Sequence, residues 1–211
     1  MAKNQKKTVP MRIDLHVHSS ERSNCGQVGE EKMIQSAVDA NLNAIIFTDH
    51  ERLVPKRRLN QLNKLYAPFR IFGGIEISIK KEHLLVLGIY DKKLETTEWT
   101  YPKLHAFCQK KGGFLALAHP FRFSNNIELD IKKYPLDAVE LYSANTPQKA
   151  KEDIEKLAEE MHIPKLSNSD AHVSILIGKY YNILDRTPHD EEELIKILKK
   201  GEFTRAVIDK T

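Results

Sequence analysis

The chain has 211 residues, 41% of them hydrophobic and 29% charged, with a formal net charge of +4. That length fits one domain large enough to bury a core, and no apolar run reaches the roughly 18–20 residues a membrane span requires. Cys25 and Cys108 are the only cysteines, too few for a disulfide framework, which points to reduced thiols in the cytoplasm.

Residues 1–10 are expected to form a flexible basic N-terminus. They lead into a strand rather than an apolar signal core, which argues against export. Met11 to His18 reads as a buried strand, Glu30 to Asn41 as a helix with Met33, Ile34, Ala37 and Val38 on one face, and Asn43 to His50 as the next strand. Lys56 to Tyr66 reads helical. Phe69 to Ile79 and His83 to Tyr90 read as two strands separated by the charged turn Lys80-Lys81-Glu82. Pro102 to Lys111 is a helix stopped by Gly112-Gly113. Strands follow at Phe114 to His119 and Asp137 to Tyr142, then a helix from about Pro147 to Met161. Short strands are expected at Lys165 to Asn168, Tyr180 to Leu184 and Arg205 to Ile208, with a helix from Glu191 to Lys200 between the last two.

This alternation argues for a largely parallel sheet in an α/β fold, open or closed. The placement of polar residues favours closure. His18, His50, His119 and the Asp170/His172 pair fall at or just past the C-terminal ends of strands spread along the chain, and a (β/α) barrel brings such ends to one rim. No internal repeat or interdomain linker is visible, so residues 1–211 are read as a single domain.

Eight side chains at the edges of hydrophobic runs are capable of binding metal. His16 and His18 stand at i and i+2 on a strand, pointing to one side. His50 closes Thr48-Asp49-His50, Glu76 lies in Gly74-Ile75-Glu76, His83 opens the run from Leu84, and His119 ends that from Leu115. Asp170 and His172 form Asp170-Ala171-His172. Imidazoles and carboxylates suit Mn, Zn or Fe without any cysteine. Asp49 reads as an orienting group behind a ligand, and Asp14 as a support for His16 and His18 or a plain structural carboxylate. His105, His162 and His189 fall outside the set.

The order of these motifs resembles the polymerase and histidinol phosphatase (PHP) family, whose members carry His-x-His, a T-D-H, a G-h-E, two separated histidines and a final D-x-H. The motifs span His16 to His172, and the small size is similar to the compact stand-alone members, many of them phosphoesterases. The resemblance implies a distorted (β/α)7 barrel with two or three divalent ions at the C-terminal rim of the strands. It implies a first ion held by His16, His18, Glu76 and Asp170, a second by Glu76, His83 and His119, and a third by His50 and His172. Members with a full third site often place a His or Asp shortly after His-x-His. Here Asn24 stands nearest that position, with Glu21 and Cys25 as substitutes.

The expected activity is metal-dependent hydrolysis of a small phosphate ester by metal-bound hydroxide, with Asp170 accepting the water's proton. Nucleotides, histidinol phosphate, sugar phosphates and short oligonucleotide ends are all compatible. The basic runs Lys56-Arg57-Arg58 and Lys199-Lys200 read as solvated helix faces, so a dedicated nucleic-acid surface is not indicated. Arg122, three residues past His119, offers the paired donors that match phosphate oxygens; an ordinary surface ion pair is the competing reading. Arg22 and Arg52 are weaker candidates, and Glu140 reads either as reaching the same rim or as a structural carboxylate. Two alternatives to the phosphoesterase are a non-catalytic metal-binding domain and an amidohydrolase on a similar barrel.

Overall fold

The computed structural model describes residues 9–208. Residues 1–8 of the expected basic N-terminus lie outside that range. Seven strands carry the functional residues: β1 (Met11–Val17), β2 (Ala44–Phe47), β3 (Arg70–Ile79), β4 (Glu82–Leu87), β5 (Phe114–Ala118), β6 (Ala138–Tyr142) and β7 (Lys165–Ser167). The α-helices are α1 (Glu30–Asp39), α2 (Lys56–Tyr66), α3 (Lys93–Thr96), α4 (Tyr101–Lys111), α5 (Lys151–Met161) and α6 (Glu191–Lys200). The antiparallel pair β8 (Tyr180–Leu184) and β9 (Phe203–Val207), joined through α6, completes a nine-stranded sheet, in the order β7-β6-β5-β4-β3-β2-β1-β8-β9. Among the described residues, no helix is long and apolar enough to cross a membrane.

The strands β1, β2 and β3 run parallel, as do β5, β6 and β7, whereas β4 is antiparallel to both neighbours. The turn that separates β3 from β4 explains this. Only Lys80 and Lys81 join the two strands, and so short a link permits a hairpin but not the crossover that parallel pairing needs. The reversal has a functional effect, because the start of β4 lands on the rim where the other strands end. His83, its second residue, therefore joins the C-terminal ligands.

The sheet curls until its ends nearly meet. At the upper end of β1, the His18 amide donates to the Ala171 carbonyl at 3.0 Å and Val17 bridges Ala171. Lower down, β8 fills the seam: it pairs with the start of β1. Its Asn182 side chain also reaches β7, accepting from Ser167 N at 3.1 Å and donating to Ser167 O at 2.8 Å. The result is a distorted barrel of β1 to β7 with the antiparallel pair β8 and β9 at its seam.

The core divides at the barrel wall. Ile13, Leu15, Ala44, Ile46, Phe72, Leu85, Phe114, Ala116 and Leu166 share one buried cluster with Leu194, Ile197 and Leu198 of α6. Ile195 of α6 lies against Gly88, just past the end of β4 and so opposite the histidines. The helix thus closes the end of the barrel away from the polar rim. A second cluster under α1 and α2 contains Val17, Ile45, Phe47, Met33 and Leu62. Ile13 and Leu15 belong to the first cluster and Val17 to the second, because the register with β2 slips between Asp14 and Val17. Such a bulge re-aims side chains.

Candidate metal centre

Each of the seven barrel strands delivers at least one polar residue to the same rim. β1 supplies His16, with His18 just past its end, and β3 supplies Glu76. β4 brings His83 and β6 brings Glu140, while His50, His119 and the Asp170/His172 pair follow β2, β5 and β7. His16, His18, Glu76, Glu140, His119 and Asp170 are buried. The cost of burying so many polar groups is tolerable only if they satisfy one another or a bound cation.

Glu76 is the hub. Its Oε2 lies 3.2 Å from His16 Nε2, 3.1 Å from His18 Nε2 and 3.2 Å from His50 Nδ1. Its Oε1 lies 2.7 Å from His83 Nδ1 and 3.2 Å from His119 Nε2. Five imidazoles thus face one carboxylate, three on one oxygen and two on the other. Asp170 Oδ1 stands 3.3 Å from His16 Nε2 and 3.2 Å from His18 Nε2. Three overlapping groups have donor atoms close enough to share an ion: His16, His18 and Asp170; His50, Glu76 and His83; and His18, His50 and His172. Seven of the eight expected ligands stand in these groups, and His119 joins them through its contact with Glu76. The grouping differs from the expected one: His50 stands in place of His119 beside Glu76 and His83, His18 joins His50 and His172, and Glu76 lies outside the group of His16, His18 and Asp170.

The donor set fits divalent cations. His16 Nδ1 lies 3.1 Å from Glu140 Oε1, so it donates there and directs Nε2 into the cluster. His16 Nε2 and His18 Nε2 are only 3.0 Å apart, with Asp170 Oδ1 buried beside them and lacking a hydrogen-bond donor. Lone pairs converging at that spacing repel unless a proton or a cation sits between them. In the metal-free protein, protons take the place. Burial pushes His16 and His18 down, but the carboxylates of Asp170 and Glu76 outweigh it and hold both imidazoles above their usual value. Burial likewise opposes ionisation of Glu76 and Asp170, yet the same histidines keep both carboxyls below the ordinary range. At the more open edge, burial lowers His50 to about 4 and also lowers His172, leaving them neutral and ready to ligate.

The backbone around the centre is strained. Glu51, His119, Phe121 and Asp170 have φ of 53°, 26°, 62° and 47°. Non-glycine residues in this region cost about 1–3 kcal/mol each and persist where their surroundings over-determine them. At β5 the effect is direct, because the turn from His119 to Phe121 swings Arg122 and Phe123 over the rim.

Arg122 Nη1 lies 3.9 Å from Asp170 Oδ2, and its guanidinium carbon is 4.8 Å from the centre of the Phe123 ring. Phe123, half exposed, leans against His83 and His119 with ring centres 5.4 and 6.2 Å away. Asn145 Nδ2 donates to Asp170 Oδ2 at 2.7 Å, a contact that the sequence did not suggest. Arg22 is not available to a substrate. It is committed to Asp49 and Glu30 at 2.7 and 2.6 Å.

Other expected roles change in detail. Glu140 is the acceptor behind His16, and it also accepts from the His119 amide at 2.9 Å and Asn168 Nδ2 at 2.8 Å. Asp49 stands behind the ligands as expected, accepting from Ser19, Ser23 and Arg22. Asp14 supports the backbone, not the rings, by accepting from the amides of His16 and Ser169. Glu21 does not substitute as a ligand; its carboxylate accepts from Glu30 N at the start of α1. Cys25 is exposed and stands in none of the three groups, and Asn24 is exposed as well. The residue that turns inward from this segment is Ser23, which no metal-ligand pattern singles out. His105 bonds the Pro135 carbonyl, His162 ends α5 and His189 precedes α6, all away from the centre.

Residues 149–203 match a family described as PHP-associated. A comparison with curated proteins gives no match. Among solved structures, the chain is similar to a two-domain protein of Bacteroides vulgatus containing a predicted PHP-like metal-dependent phosphoesterase, with a TM-score of 0.71 and 12% identity over 98% of this chain and 67% of that one. It is also similar to the lesion-specific endonuclease PfuEndoQ of Pyrococcus furiosus, with a TM-score of 0.67 and 19% identity over 94% of this chain and 58% of that one. A third similar structure is an amidohydrolase of Chromobacterium violaceum with bound sulfate and no metal, with a TM-score of 0.63 and 14% identity over 92% and 97%. At these identities the shared property is the fold. The PHP-associated match and the PHP-like barrel are together consistent with the PHP family.

Proposed function

We propose that the protein is a metal-dependent phosphoesterase acting on a small phosphate ester, within a single PHP-type domain. The observation that carries this reading is the set of five imidazoles around one buried carboxylate, with a guanidinium at its edge. His16, His18, Glu76 and Asp170 would hold one divalent ion, and Glu76, His83 and His119 another. His50 and His172 would complete a third position or share these two. Bound Mn, Zn or Fe supplies Lewis acidity that activates water and neutralises charge on the phosphate.

The residues around the ions have separable tasks. Arg122 stands where its paired N–H groups can grip the non-bridging oxygens, and Phe123 keeps its guanidinium in place by stacking. Asp170, buried beside His16 and His18, would accept the attacking water's proton. The exposed Phe123 ring favours a planar group near the phosphate, which supports a nucleotide among the candidates. Both cysteines are free, in keeping with action in the cytoplasm.

The similarity to a structure named an amidohydrolase gives a second reading, C–N bond hydrolysis at the same centre. One experiment separates the readings: protein reconstituted with Mn, Zn or Fe is assayed against phosphomonoesters, phosphodiesters and amides. The expected result is metal-dependent phosphate release that is lost in His16→Ala and Asp170→Ala proteins that remain folded. Amide turnover without phosphate release would establish the second reading. No turnover of any substrate, with metals bound, would make this a non-catalytic metal-binding domain.

A further inference from the structure

We infer that Ser23 is a positioning residue that fixes the tautomer and aim of His18, and with it the affinity of the cation site His18 serves. The inference rests on the reading of this cluster as a metal centre.

The hydrogen-bond accounting leaves His18 one arrangement. A serine hydroxyl has one proton to give and two lone pairs that accept. Ser23 Oγ lies 2.9 Å from Asp49 Oδ1, 3.0 Å from the His50 backbone nitrogen and 3.2 Å from His18 Nδ1. The His50 amide can only donate, so it takes one lone pair. The Asp49 carboxylate is held as an acceptor by Ser19 N at 2.6 Å and Arg22 Nε at 2.7 Å, so the hydroxyl proton goes to it. One lone pair then remains for His18, and Nδ1 must carry a proton to meet it. That leaves Nε2 as the only nitrogen of His18 able to bind a cation. It faces His16 Nε2 at 3.0 Å, Glu76 Oε2 at 3.1 Å and Asp170 Oδ1 at 3.2 Å.

Nothing else in the site can do this for His18. His18, Ser23 and Asp49 are all buried, so solvent does not supply an alternative partner. The loop holds Ser23 rigidly: its amide donates to Ser19 O, and Gly26 N donates to Ser23 O, both at 2.9 Å. Gly26 permits this turn because a Cβ there would lie 2.6 Å from the Ser19 carbonyl carbon. The same hydroxyl also anchors the His50 backbone. Ser23 therefore ties together two ligands of the His18, His50 and His172 group, and its hydroxyl bonds neither His83 nor His119.

The test is zinc binding to the apo protein by chelator competition, which reads the site independently of any substrate. Partners of this kind behind a ligand typically account for 10- to 100-fold in metal affinity. Ser23→Ala should weaken one class of zinc site by that factor and leave the other class unchanged, and Ser23→Thr should restore most of the loss. In zinc-loaded wild-type protein, ¹⁵N NMR should show His18 protonated at Nδ1, a readout that does not depend on either variant folding. Wild-type affinity in Ser23→Ala, an equal loss in Ala and Thr variants, or His18 protonated at Nε2 would each overturn the inference. A wild-type protein that binds no zinc would instead defeat the metal-centre reading itself, and this inference with it.

Discussion

Replacing Glu140 by Gln changes one atom, and the structure dictates what that atom must disturb. Glu140 Oε1 accepts from His16 Nδ1 at 3.1 Å and Asn168 Nδ2 at 2.8 Å, while Oε2 accepts from the His119 amide at 2.9 Å. A glutamine has only one oxygen. If that oxygen faces His16 and Asn168, its NH2 group confronts the His119 amide, donor against donor. If it faces His119, the NH2 group confronts His16 and Asn168, and His16 must give up its Nδ1 proton to accept. The proton would then move to Nε2, the nitrogen that faces the cations. Either orientation leaves a buried donor unpaired, at about 1–3 kcal/mol. The loss can fall on the fold or on the ligand. The expected outcome is a 10- to 100-fold weaker first metal site, equivalent to about 1.4–2.8 kcal/mol. Chelator competition on the apo variant measures it, with thermal unfolding of the metal-free protein as the companion reading. Wild-type metal affinity together with wild-type stability would refute the reasoning, because the unpaired donor would then have no visible cost.

Three other outcomes follow from the same geometry. Arg122→Ala should lower kcat/KM on the best phosphoester by roughly ten- to a hundredfold through loss of a charge-assisted contact, with metal content unchanged; Arg122→Lys should recover only part, and unaltered kinetics would remove Arg122 from the site. Metal uptake should release protons near neutral pH, because Asp170 and Glu76 hold protons on His16 and His18 in the metal-free protein, so affinity should rise with pH by about tenfold per unit for each proton displaced; an affinity that is flat between about pH 6 and 8 would contradict this. Burial pushes the Asp14 carboxyl up to about 7, so the metal-free fold loses stability as pH rises from 3.8 through that value. Asp14→Asn, which keeps an acceptor for the His16 and Ser169 amides, should remove that dependence in urea unfolding measured at pH 5 and pH 8.

The helices and strands were largely legible because their signals are local. The helix Lys56–Tyr66, the strand Tyr180–Leu184 and the helix Glu191–Lys200 coincide with the expected ranges residue for residue. The last is marked at both ends by physical signals, with Asp190 accepting from Glu193 N at its start and Gly201 in the left-handed region at its finish. Less legible was the direction of β4. The sequence displayed the charged turn, but the reversal follows only from how few residues make it, and β4 begins at Glu82, inside the expected turn, while β3 ends at Ile79 as expected. The short helix Lys93–Thr96 was not anticipated, since four residues carry no period to detect.

At the site, the ligands could be read and their supports could not, for a reason that lies in the chemistry. A metal ligand must be one of a few residue types, and here those types stood at the ends of apolar runs. A supporting group needs only an acceptor or donor in the right place, which serine, asparagine or a strand carboxylate supplies equally well. Ser23, Asn145 and Asn168 therefore left no mark in the sequence, although each bonds a ligand or a carboxylate of the centre. Asn168 shows how far one such residue reaches. Its Nδ2 donates to Glu140 behind His16, and its Oδ1 accepts from Leu15 N at 3.3 Å and from Asn182 Nδ2 at 2.8 Å. The amide that steadies the His16 acceptor is thus the one that joins β1, β7 and β8 where the barrel closes. Closure of the sheet and orientation of the first ligand are one hydrogen-bonded structure. A distorted seam here is a means of delivering His16 with its Nε2 turned inward, and a regular ladder between β1 and β7 would leave no place for the asparagine that holds it.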